Sequence, residues 1–361
     1  MLQRLALANS ASLEGDRTGL AQLALAGLVL LLLAAMALSL LTGASDASVG
    51  RLVASWFGGA SDDLLLARDR LVYFDIRLPR MLLGILIGGG LAVSGVVMQG
   101  LFRNPLADPG LVGVSAGAGL GAVTVIVLGG TVLAPVVAMF SIYGLQVFAF
   151  IGGLATTLIL YRVATRGGQT QVATMLLAGI AIAALAGALM GVLIYVASDS
   201  QLRDFTFWSL GSLAGSNWQK VLASGPIILG ALACCAFLAK GLNALTMGEA
   251  TANHLGVPVQ RLKRIAIVAV AAATGASVAV SGGIGFVGIV VPHLLRLVIG
   301  PDHKYLLPAS ALLGAAFLLV ADALSRTIVA PAELPIGIVT AAVGGPFFLW
   351  ILLRKRGQLV W

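Results

Sequence analysis

The feature that most constrains this chain is a succession of long apolar runs, the first of which extends from about Gly19 to Leu41. A helix needs about 20 mostly apolar residues to cross about 30 Å of hydrocarbon. Hydrophobic residues make up 59% of the chain and charged residues 10%, whereas ordinary soluble domains carry roughly 25% charged residues. The runs are continuous and do not alternate over about ten residues, as barrel strands do. The sequence therefore predicts an all-α polytopic membrane protein.

Ten apolar segments are predicted to span the membrane within a single transmembrane domain that covers residues 1–361. The first run is longer than the roughly 7 to 15 residue core of a cleaved signal peptide, so we expect it to remain as a membrane helix. The 46 glycines favour close approach of helix backbones. The predicted spans lie at about residues 19–41, 77–100, 110–129, 135–161, 172–196, 219–239, 265–281, 284–299, 305–326 and 335–353.

The distribution of basic residues predicts the orientation. An even number of spans puts both termini on one side, and short loops rich in lysine and arginine face the cytoplasm. We therefore place both termini in the cytoplasm and the polar segment 42–76 on the opposite side of the membrane. The basic residues on the cytoplasmic side are Arg4, Arg17, Arg103, Arg162, Arg166, Lys240, Arg261, Lys263, Arg264, Arg296, Lys304 and Arg354, Lys355 and Arg356.

Motifs for chemistry within the chain are missing from the sequence. It has no phosphate-binding Gly-x-x-x-x-Gly-Lys-Ser/Thr loop, no zinc helix and no nucleophile elbow. The adjacent Cys234 and Cys235 do not have the spacing of metal ligands. We predict no catalytic residue, no metal site and no cofactor in this chain. The net charge of +8 comes from cations at helix ends, which does not indicate nucleic-acid binding.

The spans are almost free of charged residues away from their ends. Ion-coupled carriers usually place ionisable groups inside the membrane, so we expect the free energy for any transport to come from outside the chain. The remaining alternative is a secondary carrier of a small organic solute. The largest polar interruption, residues 240–264, contains Met247-Gly-Glu-Ala-Thr-Ala-Asn-His-Leu-Gly256. It is predicted to form one or two short helices bounded by glycine and proline, as either a docking element or a solvated loop.

Four segments resemble the permease subunits of type II ABC importers that carry ferric siderophores, haem and cobalamin. The resemblance extends from about residue 70 onward. The segments are RLPRMLLGILIGGGLAVSGVVMQGLFRNPLADPGLVGVSAGAG (77–119), MGEATANHLGV (247–257), SGGIGFVGIVVPHLLRL (281–297) and AELPIGIVTAAVGGPFFLWIL (332–352).

The resemblance implies a vitamin-B12-permease-like fold that forms a homodimer around a central pathway in a bacterial inner membrane, with the segment 42–76 in the periplasm. Two ATPase subunits, which bind ATP and Mg, would lie below it and a periplasmic substrate-binding protein above it. The segment Thr246–Val257 would fit a cleft on the ATPase, with Glu249, His254 and Gly256 as contacts. Its glycine spacing differs from the motif of other importer classes.

Further roles follow from the same resemblance. Arg77, Arg80 and Arg326 would meet acidic residues of the binding protein, since arginine presents a planar fork to a carboxylate. Alternatively, they anchor helix ends to lipid headgroups. The cytoplasmic gates would be Asn104 and Leu106 after the second span, and Gln169 and Thr170 before the fifth.

The fifth span is predicted to line the pathway. Its small residues Gly179, Ala183 and Gly187 either leave room for a substrate or pack closely against a neighbouring helix. The stretch Gln201–Leu213 and the sequence GLFRNPLADP most resemble haem permeases, which favours haem as the substrate. A ferric siderophore or cobalamin is the alternative within the family.

Overall fold

A computed structural model describes residues 17–43, 45–57, 63–167 and 169–354. The basic residues Arg4, Lys355 and Arg356 lie outside the described ranges. In chain order the helices are α1 Thr18–Leu41, α2 Val49–Trp56, α3 Asp63–Arg70, α4 Leu78–Phe102, α5 Val114–Leu128, α6 Ala134–Met139, α7 Gly144–Ala164, α8 Val172–Tyr195, α9 Asp199–Ser209, α10 Trp218–Phe237, α11 Ala239–Thr246, α12 Glu249–His254, α13 Val259–Ser281, α14 Val287–Ile299, α15 His303–Thr327 and α16 Ile336–Arg354.

Short elements connect these helices. A π-helical segment, Leu71–Arg77, joins α3 to α4, and 3₁₀ turns cover Pro109–Val112 and Ser141–Tyr143. Strands β1 Thr165–Arg166 and β2 Gln169–Thr170 pair antiparallel. This hairpin, with two residues in each strand, is the one departure from helix and loop in the described ranges, so the helical fold is confirmed.

A helix stands at each of the ten predicted spans, but their lengths differ. Within the described residues, seven helices are long and apolar enough to cross a membrane. The other three predicted spans coincide with shorter apolar helices, at Val114–Leu128, Val287–Ile299 and Ile336–Ile351. Seven spans are therefore clear, and the total of ten stays a prediction.

The centre of the bundle is formed by α4, α13 and α15, whose most apolar windows are 83%, 72% and 67% buried. Two glycine contacts bring backbones together here. A Cβ at Gly88 of α4 would overlap the carbonyl of Gly314 in α15, and one at Gly95 would overlap the carbonyl of Gly288 in α14. These contacts confirm that glycines serve close helix packing.

The outer helices α1 and α8 are largely exposed, since only 11% of the most apolar window of each is buried. In a membrane protein such apolar surface faces lipid, a second protein chain or a pathway.

The segment before α4 is more helical than the polar sequence suggested. Helix α2 begins after Ser48, whose side chain accepts a hydrogen bond from the backbone N–H of Arg51. Arg51 in turn donates to both carboxylate oxygens of the buried Asp69 of α3, at 2.6 and 3.1 Å. This hydrogen bond lowers the pKa of Asp69 to about 2.

Candidate functional site

The three arginines predicted to dock a binding protein lie at one end of the bundle. Arg77, Arg80 and Arg326 are 4%, 7% and 7% exposed, respectively. Each guanidinium is engaged by the protein itself. We name the set Arg77, Arg80, Asp322, Arg326 and Glu333 the arginine cluster.

Asp322 lies at the centre of the arginine cluster. Its carboxylate accepts from Nε and Nη2 of Arg80 at 3.1 and 2.8 Å and lies 3.1 Å from Nη2 of Arg326 one turn along α15. The side chain of Glu333, in the loop that precedes α16, accepts from Arg80 at 2.9 and 3.0 Å. The cluster therefore joins α4, α15 and the start of α16.

The other two arginines fix the end of α1. Arg326 donates to the carbonyls of Ser39 and Thr42 at 3.3 and 2.9 Å. Arg77 donates to the carbonyl of Leu40 and to the hydroxyl of Tyr73. The guanidiniums thus satisfy carbonyls at a helix C-terminus, which have no partner inside the helix. Docking through these arginines stays a prediction, to which the structure adds a role in holding helix ends together.

The predicted coupling segment, Thr246–Val257, lies at the opposite end of α4. Helix α4 has 25 residues, roughly 37 Å at 1.5 Å per residue. The guanidinium of Arg103, just beyond its C-terminus, lies beside Gly248. The arginine cluster and the coupling segment are therefore separated by the length of one helix.

The coupling segment is an ordered helix with an exposed apolar rim. Gly248, at φ +105°, precedes α12, and Gly256, at φ +79°, follows it. Ala252 is fully buried and anchors α12, whereas Met247 and Leu255 are 67% and 62% exposed. Predicted contacts His254 and Gly256 are also exposed. Large exposed apolar side chains beside a short polar helix are typical of a surface that binds another protein.

Glu249 differs from the other predicted contacts because it is bound inside the chain. Its Oε1 accepts from Nζ of Lys263 at 2.7 Å, and the same Nζ donates to the carbonyl of Thr170 at 2.9 Å. Lys263 thus brings together one predicted coupling residue and one predicted gate residue. In the sequence, Lys263 counts only among the basic residues that indicate the cytoplasmic side. Its position inside the first turns of an apolar helix is the available sign that it is buried.

The two predicted gates differ in their surroundings. Asn104 is exposed and its side chain accepts from the backbone N–H of Leu106 at 2.9 Å, which forms a local turn after α4. Gln169 is exposed at the tip of the hairpin, and Thr170 is 6% exposed. Among the described residues no hydrogen bond joins the Asn104 turn to the hairpin.

Helix α8, which is predicted to line the pathway, presents open apolar surface. Leu177, Ile180 and Val192 are 70%, 66% and 64% exposed. A Cβ at Gly187 would meet no atom within 4 Å, so this glycine does not pack closely against a neighbouring helix of the same chain.

In the part of the chain that the structure describes, no three histidine, cysteine or acidic side chains are grouped as a metal site.

Comparison with known families gives a match over most of the chain. Residues 30–354 match the FecCD transport family. The chain is 50% identical over 287 residues to the hemin transport system permease protein of Yersinia pestis, a match covering 80% of this chain and 84% of that protein.

Other similar proteins include cobalamin permeases and a solved transporter. The cobalamin import system permease of Halobacterium salinarum is 46% identical over 281 residues, covering 78% of this chain and 73% of that protein. A solved ABC transporter of the metal-chelate type, in an inward-facing conformation, superposes with a TM-score of 0.78 at 33% identity. That alignment covers 91% of this chain and 98% of the solved chain.

Proposed function

The chain belongs to the FecCD transport family, and from that premise we propose that it carries haem across a bacterial inner membrane into the cytoplasm. Members of the family are membrane permease subunits of ABC importers; the chain is not an enzyme, and ATP is hydrolysed by partner subunits. The observation that supports haem is the 50% identity to a hemin permease over 84% of that protein's length. Cobalamin is the second candidate, because a cobalamin permease is 46% identical over 281 residues.

The exposed face of α8 supports a pathway formed between two copies of this chain. An apolar surface that includes Leu177, Ile180 and Val192 suits a flat macrocycle such as haem, and the open space at Gly187 leaves room for it. Weak, distributed apolar contact also lets a substrate leave, as a conduit requires. We therefore assign α8 to the pathway of a homodimer.

The two ends of α4 carry the proposed partner surfaces. The coupling segment would enter a cleft of the ATPase through Met247, His254 and Leu255, since these side chains are exposed. The binding protein would dock at the end that holds the arginine cluster, where Glu333 is 38% exposed. With this assignment both termini lie in the cytoplasm, as the positive-inside rule predicts.

The function is tested by reconstituting the chain in liposomes with its ATPase and binding protein. We expect haem, delivered by the binding protein, to stimulate ATP hydrolysis and to accumulate inside the vesicles only when ATP is supplied. Cobalamin and a ferric siderophore serve as comparison substrates in the same vesicles.

The outcomes separate the parts of the proposal. Stimulation of ATP hydrolysis by cobalamin but not by haem would overturn the assignment of haem as substrate and leave the permease function intact. Uptake by this chain alone, driven by a proton or sodium gradient, would overturn the importer function itself.

A further inference from the structure

Lys263 is a buried cation placed between two segments with proposed roles in transport. Its side chain is 2% exposed, and it is among the largest fully buried side chains of the described residues. An ammonium group in such a place is costly unless its donors are satisfied. Nζ donates to the carboxylate of Glu249 at 2.7 Å and to the carbonyl of Thr170 at 2.9 Å, so two of its three donors have partners.

The two acceptors lie far apart in the sequence. Glu249 is the first residue of α12, in the coupling segment, and Thr170 ends the hairpin that precedes α8. The sequence separations from Lys263 are 14 and 93 residues. One ammonium group is therefore bonded to both segments at the same time.

The hairpin is held to α13 by a second bond. The backbone N–H of Thr170 donates to Oε1 of Gln260 at 3.0 Å, one turn before Lys263. Both backbone polar groups of Thr170 are thus bound by side chains of α13. Thr170 also shares a 2.9 Å hydroxyl contact with Thr165 across the hairpin, so a displacement of Thr170 involves both strands.

We propose that Lys263 is a positioning residue that transmits movement of the coupling segment to the hairpin and the start of α8. The proposal rests on the proposed function, because it takes α12 as the surface that the ATPase moves. When α12 shifts, the carboxylate of Glu249 pulls on Nζ, and Nζ holds the carbonyl of Thr170. Gln260 keeps the hairpin in register with α13 during this movement.

The chemistry of lysine suits this position. A single ammonium group binds a carboxylate and a carbonyl in different directions, whereas a methionine of similar length binds neither. Lys263→Met removes the ammonium group together with its two bonds, so no unpaired cation is left buried, and the side chain of Glu249, 37% exposed, can then be solvated. Loss of the link is therefore expected to affect coupling more than folding.

The test uses Lys263→Met in the complete complex of permease, ATPase and binding protein in liposomes. The matched control is Arg261→Met, which removes an exposed cation from the same turn of α13. ATP hydrolysis and substrate uptake are measured in the same vesicles, together with the affinity of the permease for the ATPase. Coupling free energies between two sites typically change a binding affinity by a factor of about 5 to about 150. We expect the substrate carried per ATP hydrolysed to fall by a factor in that range in Lys263→Met and to stay unchanged in Arg261→Met.

A second measurement does not depend on the substrate. A spin label at the exposed Gln169 reports the distance between the hairpins of two permease copies with and without ATP. In the otherwise unaltered complex, ATP should change this distance; in Lys263→Met it should not, although the ATPase still binds and hydrolyses ATP. Glu249→Gln, which keeps the shape of the side chain, should give the same pattern more weakly and serves if Lys263→Met does not fold.

An unchanged ratio of uptake to hydrolysis, or an ATP-dependent label movement that persists in Lys263→Met, would overturn the proposal. Equal losses of ATPase affinity, thermal stability and uptake in Lys263→Met and Glu249→Gln would also overturn it, because Lys263 would then be only a structural anchor. If the unaltered complex takes up no haem but its hairpin label still responds to ATP, the assignment of haem as substrate fails. The label measurement in Lys263→Met then still decides whether Lys263 transmits the movement.

Discussion

Replacing Asp322 by asparagine tests whether the arginine cluster holds the helix ends together. The cluster contains two guanidiniums that share Asp322, those of Arg80 and Arg326, and both residues are 7% exposed. Asp322 itself is 1% exposed. Loss of its charge leaves two buried cations with one carboxylate, Glu333, which bonds Arg80 alone. Removing one partner of a buried ion pair costs about 3–5 kcal/mol.

The comparison variant is Glu333→Gln, which alters the exposed side of the same cluster. The side chain of Glu333 is 38% exposed, and an ion pair of this kind contributes about 0–1 kcal/mol. We therefore expect Asp322→Asn to lower the free energy of unfolding by roughly 3 kcal/mol more than Glu333→Gln does. The control is Asp75→Asn, which removes an exposed carboxylate from the π-helical segment.

The assay is unfolding of the purified permease in mixed micelles, without binding protein or ATPase. Because no partner is present, a loss of stability reports only contacts inside the chain. The reasoning is refuted if Asp322→Asn and Glu333→Gln unfold within about 0.5 kcal/mol of each other, the usual range for surface substitutions. In that case the arginines would be free to serve docking, and Arg80→Met should impair binding-protein affinity without lowering stability.

Three further predictions concern packing, the pathway and pH. Gly95→Leu should prevent stable folding, because its side chain would overlap the carbonyl of Gly288, and the yield of monodisperse protein in detergent measures this. Gly187→Leu should fold normally, since a Cβ there meets nothing, but should reduce uptake at unchanged thermal stability; normal uptake would argue against a pathway at α8. The pKa of Asp69 is lowered from 3.8 to about 2 by its bond with Arg51, so the stability that it contributes is present above about pH 4 and disappears as the pH falls towards 2. The difference in melting temperature between the unaltered chain and Asp69→Asn should therefore be largest near pH 5 and shrink near pH 2.5, and a difference independent of pH would contradict this.

The helical plan could be predicted because long apolar runs have few alternatives in lipid. The ordered helix α12 between glycines was likewise indicated by the residues around Glu249. The continuation of helix before α4, through Leu71–Arg77, was not predicted, because polar segments beside a membrane carry no apolar periodicity that reveals their structure.

The contacts of the site residues depend on pairs that the sequence does not display. Arg80 and Asp322 are 242 residues apart, and no local pattern connects them. A lone acid inside an apolar span does signal a buried partner, so Asp322 could have been paired with an arginine in principle. Lys263 was counted among cytoplasmic charges because lysines at helix ends usually contact water, and only the tertiary structure reveals its burial.

The packing of the glycines limits where the bundle can move. Backbones at Gly88 and Gly314, and at Gly95 and Gly288, approach so closely that α4, α14 and α15 have no space to slide without breaking contact. At Gly187 of α8, in contrast, an added Cβ would meet no atom within 4 Å, so no close backbone contact fixes the helix at this position. We therefore expect α4, α14 and α15 to move as one body while α8 and its hairpin change position relative to them. Lys263 lies on α13, which belongs to the centre of the bundle, and its two bonds join the hairpin to the coupling segment. A movement that begins at α12 is thus expected to reach the hairpin and, through it, the start of α8.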